Sequence, residues 1–307
     1  MLSLRSTALG SKRLRAVERY LYILPALVLV ALIVLYPLAS NIVNSLQTDD
    51  RMMLGDAKPA FVGFQNFARA WQEGQLQRST INSFLFTSTS VAIAFLMGLL
   101  LSSLLNRARK LRVLYRVLIM LPWIVSPLVA AFAWRALFDD AFGFINYALL
   151  QLGIIQDKVI WLGSYSTAFA ALIVANVWRI FPFVTIMLLA GLQSVPREIE
   201  EAAEIDGAGP FVKYFRIILP QMRNIILIIV LLQFIWNFNE FTVIQILTQG
   251  GPADSTIVLP VLIHKLGFKY FRTGTASALS LLLSIILLIF SLLYLRVLRG
   301  KPGSGAS

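Results

Sequence analysis

Six apolar runs, near 20–46, 81–105, 113–137, 167–193, 224–248 and 276–298, alternate with polar segments along this chain. Each is long enough to cross a ~30 Å hydrocarbon layer as a helix of roughly 20 residues. The pattern predicts an all-α polytopic membrane protein with six transmembrane helices. Pro25 and Pro37 fall inside the first run, where a membrane helix tolerates them better than a soluble one does. Lys12, Arg13, Arg15 and Arg19 precede that run like the start of a signal peptide. Its apolar part is too long for one and no convincing small-residue cleavage site follows, so a retained first helix is expected.

Composition agrees with the pattern: 58% of the 307 residues are hydrophobic and 14% charged, more apolar surface than a soluble core absorbs. The absence of cysteine excludes disulfides and thiolate metal sites, and one histidine, His264, excludes a multi-histidine centre. The net charge of +12 is a matter of topology. With the N-terminus inside, 17 Lys and Arg fall on the cytoplasmic side and eight on the outside, with Arg135 and Arg179 within or at the edge of spans. That bias predicts both termini in the cytoplasm and makes nucleic acid an unneeded partner. The expected organisation is a basic tail over 1–19, a six-helix domain over 20–298 and a disordered tail over 299–307. Outer segments 47–80 and 138–166 are too short for large domains, though Phe61, Phe64, Phe67 and Trp71 suit an interface. Arg135 is expected to snorkel to the outer interface and His264 to be an ordinary interfacial residue.

The 194–220 loop between the fourth and fifth spans is charged and broken by glycine. Ser194 can cap a helix that Pro196 opens, and Glu198, Glu200 and Glu201 favour its positive end, predicting a helix over 196–205. Gly207 and Gly209 interrupt it. Pro210 can open a second helix with Phe211, Tyr214, Phe215 and Ile218 on one apolar face, ended by Pro220. Five acids (Glu198, Glu200, Glu201, Glu204, Asp206) against four bases (Arg197, Lys213, Arg216, Arg223) suit a protein-docking knob. The alternative is a helix lying on the lipid surface, which usually carries a basic polar face.

Glu201-Ala202-Ala203, then Gly207, then Ile217, Leu219 and Pro220 resemble the EAA-x3-G-x9-I-x-L-P loop of permease subunits of binding-protein-dependent ATP-binding-cassette importers, and Asp206-Gly207-Ala208 is also present. The resemblance implies that these residues form coupling helices inserted into a nucleotide-binding subunit. It extends over most of the chain towards the carbohydrate branch, through Phe61-Val62-Gly63-Phe64-Gln65-Asn66-Phe67, Leu121-Pro122-Trp123, Gly143-x-x-Asn146, Ala190-Gly191-Leu192-Gln193 and Leu247-Thr248-Gln249-Gly250-Gly251-Pro252. Within that branch it is similar to permeases of actinobacterial trehalose importers, which implies a disaccharide cargo. The implied partners are a second, homologous permease, two ATPase subunits, an extracytoplasmic solute-binding protein and the lipid of a bacterial cytoplasmic membrane. The chain lacks a phosphate-binding G-x-x-x-x-G-K-[ST] loop, since Leu295 and Pro302 stand at the decisive positions around Gly300-Lys301. ATP and magnesium therefore belong to the partner ATPase; this chain is expected to bind no cofactor and to be no enzyme.

Polar groups inside spans are costly and are functional candidates. Gln233, Asn237 and Glu240 fall on one face of the fifth span, flanked by Trp236 and Asn239, a set that suits a carbohydrate path. Asn176 and Arg179 share a face of the fourth. These groups either line a pathway or bond helix to helix, and Arg179 either lines the same cavity or pairs with Glu240. Ser277, Ser280 and Ser284 recur at helical spacing in the sixth span and suit close packing more than substrate contact. A different class consistent with that pair is a secondary transporter driven by an ion gradient. Six spans without inverted halves and an elaborate inner loop argue against it.

Overall fold

In a hydrocarbon layer no water satisfies backbone amides, so an apolar run must close its hydrogen bonds within itself, and this chain is helical nearly throughout. The computed structural model describes residues 22–48, 60–107 and 111–299. The tail expected over 1–19 and the one expected beyond residue 299 lie outside them. In chain order the helices are α1 (Tyr22–Ser45), α2 (Gln65–Gln72), α3 (Gln75–Arg107), α4 (Arg112–Ile124), α5 (Pro127–Leu137), α6 (Phe144–Gln151) and α7 (Tyr165–Ser194). They continue with α8 (Arg197–Ile205), α9 (210–221), α10 (Arg223–Phe238), α11 (Thr242–Leu247), α12 (Leu259–His264) and α13 (Thr273–Arg299). Among the described residues the only bridge between extended segments joins Gln47 to Phe61.

Among the described residues five helical segments are long and apolar enough to cross a membrane, or six if a bent pair counts as one span. That pair is α4–α5. The third run was expected to be one helix, but it turns by 89° between Ile124 and Pro127. The proline ring disfavours helical geometry in the residue before it, and both Val125 (ψ 132°) and Ser126 (ψ 136°) are extended. The fifth run is also interrupted, at 239–241. There the Glu240 carboxylate accepts the Val243 backbone N–H at 3.1 Å, capping α11 in place of an intrahelical partner.

The described residues fall into two compact units, one of those up to 69 with 266–281 and the other of those from 70 to 265 with 282–299. In the first, buried Asn66 donates to the carbonyls of Ser45 and Gln47, at 2.8 Å each, and so fastens α2 to the end of α1. Of the four aromatic residues singled out in that segment, Phe61, Phe64 and Trp71 are exposed and Phe67 is half-buried. In the second unit α3 and α7 pack along their lengths. Beside Leu76, Phe86, Val91 and Leu105, the buried residues of α3 include a run of small ones (Ser83, Thr87, Ser90, Ala94, Gly98), which lets helix backbones approach closely where lipid offers no hydrophobic drive. One apolar core runs through Ala94, Val184, Leu188 and Leu192 to Ile218, Met222 and Ile229, joining α3, α7, α9 and α10.

Candidate functional site

Two constructions stand out in the second unit. The first is an elbow made of α8 and α9. Helix α8 ends in a defined motif: Asp206 is its C-cap, Gly207 follows at φ +78°, the Gly207 N–H bonds to Glu204 O at 3.1 Å and the Ala208 N–H to Ala203 O at 2.9 Å. This is a Schellman closure, in which the residue after the cap adopts a left-handed conformation that glycine alone takes without cost. The spacing from Ala203 to Gly207 is thus the spacing of a helix stop. Ala203 is buried, while Glu201, Ala202, Asp206 and Gly207 are exposed.

The start of α8 differs from expectation. Ser194 does not cap it, because α7 runs through that residue and its hydroxyl turns back to Gly191 O at 2.7 Å. Pro196 is the N-cap instead. Helix α9 opens at Pro210, as expected, then passes through a π-helical stretch, Lys213–Ile218. The extra residue per turn rotates the apolar stripe, so the single face expected of Phe211, Tyr214, Phe215 and Ile218 is split. Ile218 is buried and Tyr214 half-buried, whereas Phe211 and Phe215 stack on each other and remain 81% and 54% exposed. Ile217 and Leu219 are half-buried and Pro220 is exposed; the helix stops at Met222, two residues after the proline. Lys213 bridges to Glu204 at 2.5 Å across the two helices. Beside α8 a polar cleft of about 650 Å³ is lined by Arg116, Arg197, Glu200, Glu201 and Glu204.

Gly191 explains how the elbow meets the bundle. A Cβ there would lie 2.6 Å from Met222 Cε, so the missing side chain is the space Met222 occupies.

The second construction is a buried polar ladder between α7 and α10. Gln233 Oε1 accepts from Asn237 Nδ2 at 3.1 Å, Asn237 Oδ1 accepts from Asn176 Nδ2 at 2.6 Å, and Asn176 Oδ1 accepts from Arg179 at 3.3 Å. Arg179 forms an ion pair with Glu240, whose other oxygen caps α11. Gln233, Asn237 and Asn176 are at most 2% exposed. In this conformation Asn176 and Asn237 bond helix to helix while Gln233 bonds within α10, and of the two alternatives for Arg179 the structure contains the pairing. The face expected to carry Glu240 with Gln233 and Asn237 is continuous only to Phe238, beyond which the break places the carboxylate. Trp236 is 48% exposed and meets Phe183 edge-on at 5.2 Å. Asn239 is exposed and bonds to Ile235 O.

Arg135 donates to Ile246 O at 3.3 Å, the His264 ring meets Phe241 at a tilt with centroids 4.9 Å apart and Ser280 bonds back to Ala276 O. Two asparagines hold loops: the sequence singled out no role for Asn82, and Asn146 only as part of the resemblance. Asn82 donates to Ser255 O and Ile257 O, pinning the strongly bent loop before α12. Asn146 holds the 138–166 segment by its bonds to Val159 and the Trp161 indole.

A family of binding-protein-dependent transport system inner membrane components matches residues 90–300. The chain belongs to that family. It is 34% identical over 281 residues to the trehalose/maltose transport system permease protein of Thermococcus litoralis, covering 91% of this chain and 92% of that one. It is 33% identical over 282 residues to the sulfoquinovosyl glycerol transport system permease protein of Agrobacterium fabrum, covering 92% and 90%. The fold matches a chain of the bacterial alginate ABC transporter solved in complex with an alginate pentasaccharide-bound periplasmic protein. That match has a TM-score of 0.78 and 21% identity, over 92% of this chain and 94% of the other. This chain is therefore a multi-pass permease subunit of an ATP-binding-cassette importer, a transport component and not an enzyme.

Proposed function

We propose that this permease forms the carbohydrate pathway of its importer together with a second, homologous permease, and that the α8–α9 elbow is its coupling element. In this reading the elbow projects into the cytoplasm, both termini are cytoplasmic, and two ATPase subunits carry ATP and magnesium. Glu201, Ala202, Ala203, Asp206, Gly207 and Ala208 shape the docking helix, and Ile217, Leu219 and Pro220 tie it to the fifth span. A loaded extracytoplasmic receptor and ATP favour an outward-facing cavity; hydrolysis returns it inward. The cargo is a disaccharide of the trehalose type, a reading supported by the trehalose/maltose transport named for the Thermococcus relative. Exposed Trp236 and Asn239 offer an aromatic face and an amide to sugar, and the Asn176–Arg179–Glu240 ladder stands behind them as the polar group that opens when the fourth and fifth spans separate.

The observation that carries the coupling role is the elbow's form. A helix closed by a Schellman turn holds Ile205, 86% exposed, beside four exposed acids. An apolar tip on a charged knob suits a protein cleft better than water. Gly207→Pro, which cannot adopt φ +78°, and Glu201→Lys are expected to abolish ATPase association and uptake while leaving the protein in the membrane. Normal association in both variants would overturn the docking role. Uptake that persists after ionophore treatment but fails without ATP separates this mechanism from an ion-driven one.

A further inference from the structure

We propose that the slot between the last turns of α3 and the start of α9 binds one acyl chain of an anionic phospholipid, with the Arg107 guanidinium at its phosphate. The slot encloses about 490 Å³. One wall is the stripe Leu96, Leu100 and Leu104, each more than half exposed; the other is the stacked pair Phe211 and Phe215. The polar groups between them are spent on each other, since the Ser103 and Tyr214 hydroxyls bond at 2.9 Å.

Length and charge identify the occupant. From Leu96 to Arg107 the helix rises about 16 Å, close to half of a ~30 Å hydrocarbon core. Arg107 is the last residue of α3 and is exposed, and no carboxylate lines the slot. A long apolar trough with one cation at its end complements an amphiphile that is apolar along its length and anionic at its head. A basic residue at this depth favours anionic over zwitterionic headgroups by about fivefold. Because Phe211 and Phe215 belong to the elbow, a lipid seated here would brace α9 against α3. The site does not depend on which sugar is carried.

The test uses the intact importer, extracted and exchanged into nanodiscs of phosphatidylcholine with or without phosphatidylglycerol. The chain has no native cysteine, so a Leu100→Cys variant carries one benzophenone within this subunit, and adducts are read by mass on this subunit alone. Photolysis is expected to label phosphatidylglycerol. In native mass spectrometry Arg107→Gln should reduce the preference for phosphatidylglycerol over phosphatidylcholine about fivefold, and Leu100→Trp should abolish retention of both. A benzophenone adduct with another subunit would make the slot a protein interface, and equal phosphatidylglycerol preference in wild type and Arg107→Gln would remove the headgroup contact. Either result overturns the proposal, and the second requires only a surface substitution that leaves packing intact.

Discussion

Glu240→Ala leaves the Arg179 guanidinium without its counter-ion, in a site where the two side chains are 18% and 9% exposed. Removing one partner of a buried pair costs about 3–5 kcal/mol, chiefly as the desolvation of the stranded charge. The residual exposure of Arg179 lets water recover part of this, so about 2–4 kcal/mol is expected. The Val243 N–H also loses its acceptor, which adds about 1 kcal/mol. Removing both charges, as Arg179→Leu with Glu240→Ala, strands neither and should cost far less than the sum of the single changes Arg179→Leu and Glu240→Ala. The cycle is measured by unfolding the four proteins with increasing SDS in mixed micelles, following tryptophan fluorescence. A coupling of about 2–3 kcal/mol is expected, against an average near 0.6 kcal/mol for neutral hydrogen bonds between membrane helices. Coupling at or below that lower value would refute the claim that the pair is a desolvated electrostatic contact. Uptake by the double variant then separates two roles. A fully folded protein that has lost transport assigns the ladder to the pathway; a folded protein that transports normally assigns it to helix packing.

Three further outcomes follow from individual contacts. Asn146→Ala removes bonds to Asp140, Val159 and the Trp161 indole from a residue that is 1% exposed; a loss of about 2–4 kcal/mol should show as faster proteolysis within 152–164. Gly191→Ala should be tolerated, because the atom it meets is the flexible end of Met222, whereas Gly191→Val should cost about 1–3 kcal/mol through overpacking and be relieved by Met222→Ala in thermal denaturation. Asn82→Ala should raise amide hydrogen exchange of Ile257 and its neighbours while leaving α7 and α10 protected, since it frees only the loop that Asn82 holds.

The spans were legible because period and length were the same signal, and lipid allows few alternatives to a helix. Their breaks were not. Pro122 and Pro182 sit inside continuous helices while Pro127 begins a new one after an 89° turn, so proline alone does not announce a bend. The elbow was legible in its glycine, because Gly207 performs a local task that needs only its own backbone. It was illegible in its aromatic face, because a π-helical insertion shifts register without leaving a mark in composition. Sequence placed Asn176 with Arg179 and Gln233 with Asn237 on their separate helices; that Asn176 meets Asn237 needed the packing of α7 on α10. Asn82 was invisible for a related reason: both its acceptors are backbone carbonyls more than 170 residues away, and a carbonyl belongs to every residue type.

The distribution of buried groups along the elbow decides how it can move. The contact between its two arms, Lys213 with Glu204, is largely solvent-exposed on the acid side and contributes no more than about 1 kcal/mol. In contrast, Ile218 and Met222 are 6% and 1% exposed within the core shared with α7 and α10, and burial of two such side chains contributes about 3–6 kcal/mol. Helix α8 brings only the methyl group of Ala203 to a fully buried position, worth much less. A force applied to α8 therefore meets little resistance from its own packing, passes through the Schellman turn into α9, and there meets an attachment that does not slip before the bundle itself shifts. The rigid end of the elbow is the one that carries Ile218 and Met222, and the compliant end is the one that presents the acids.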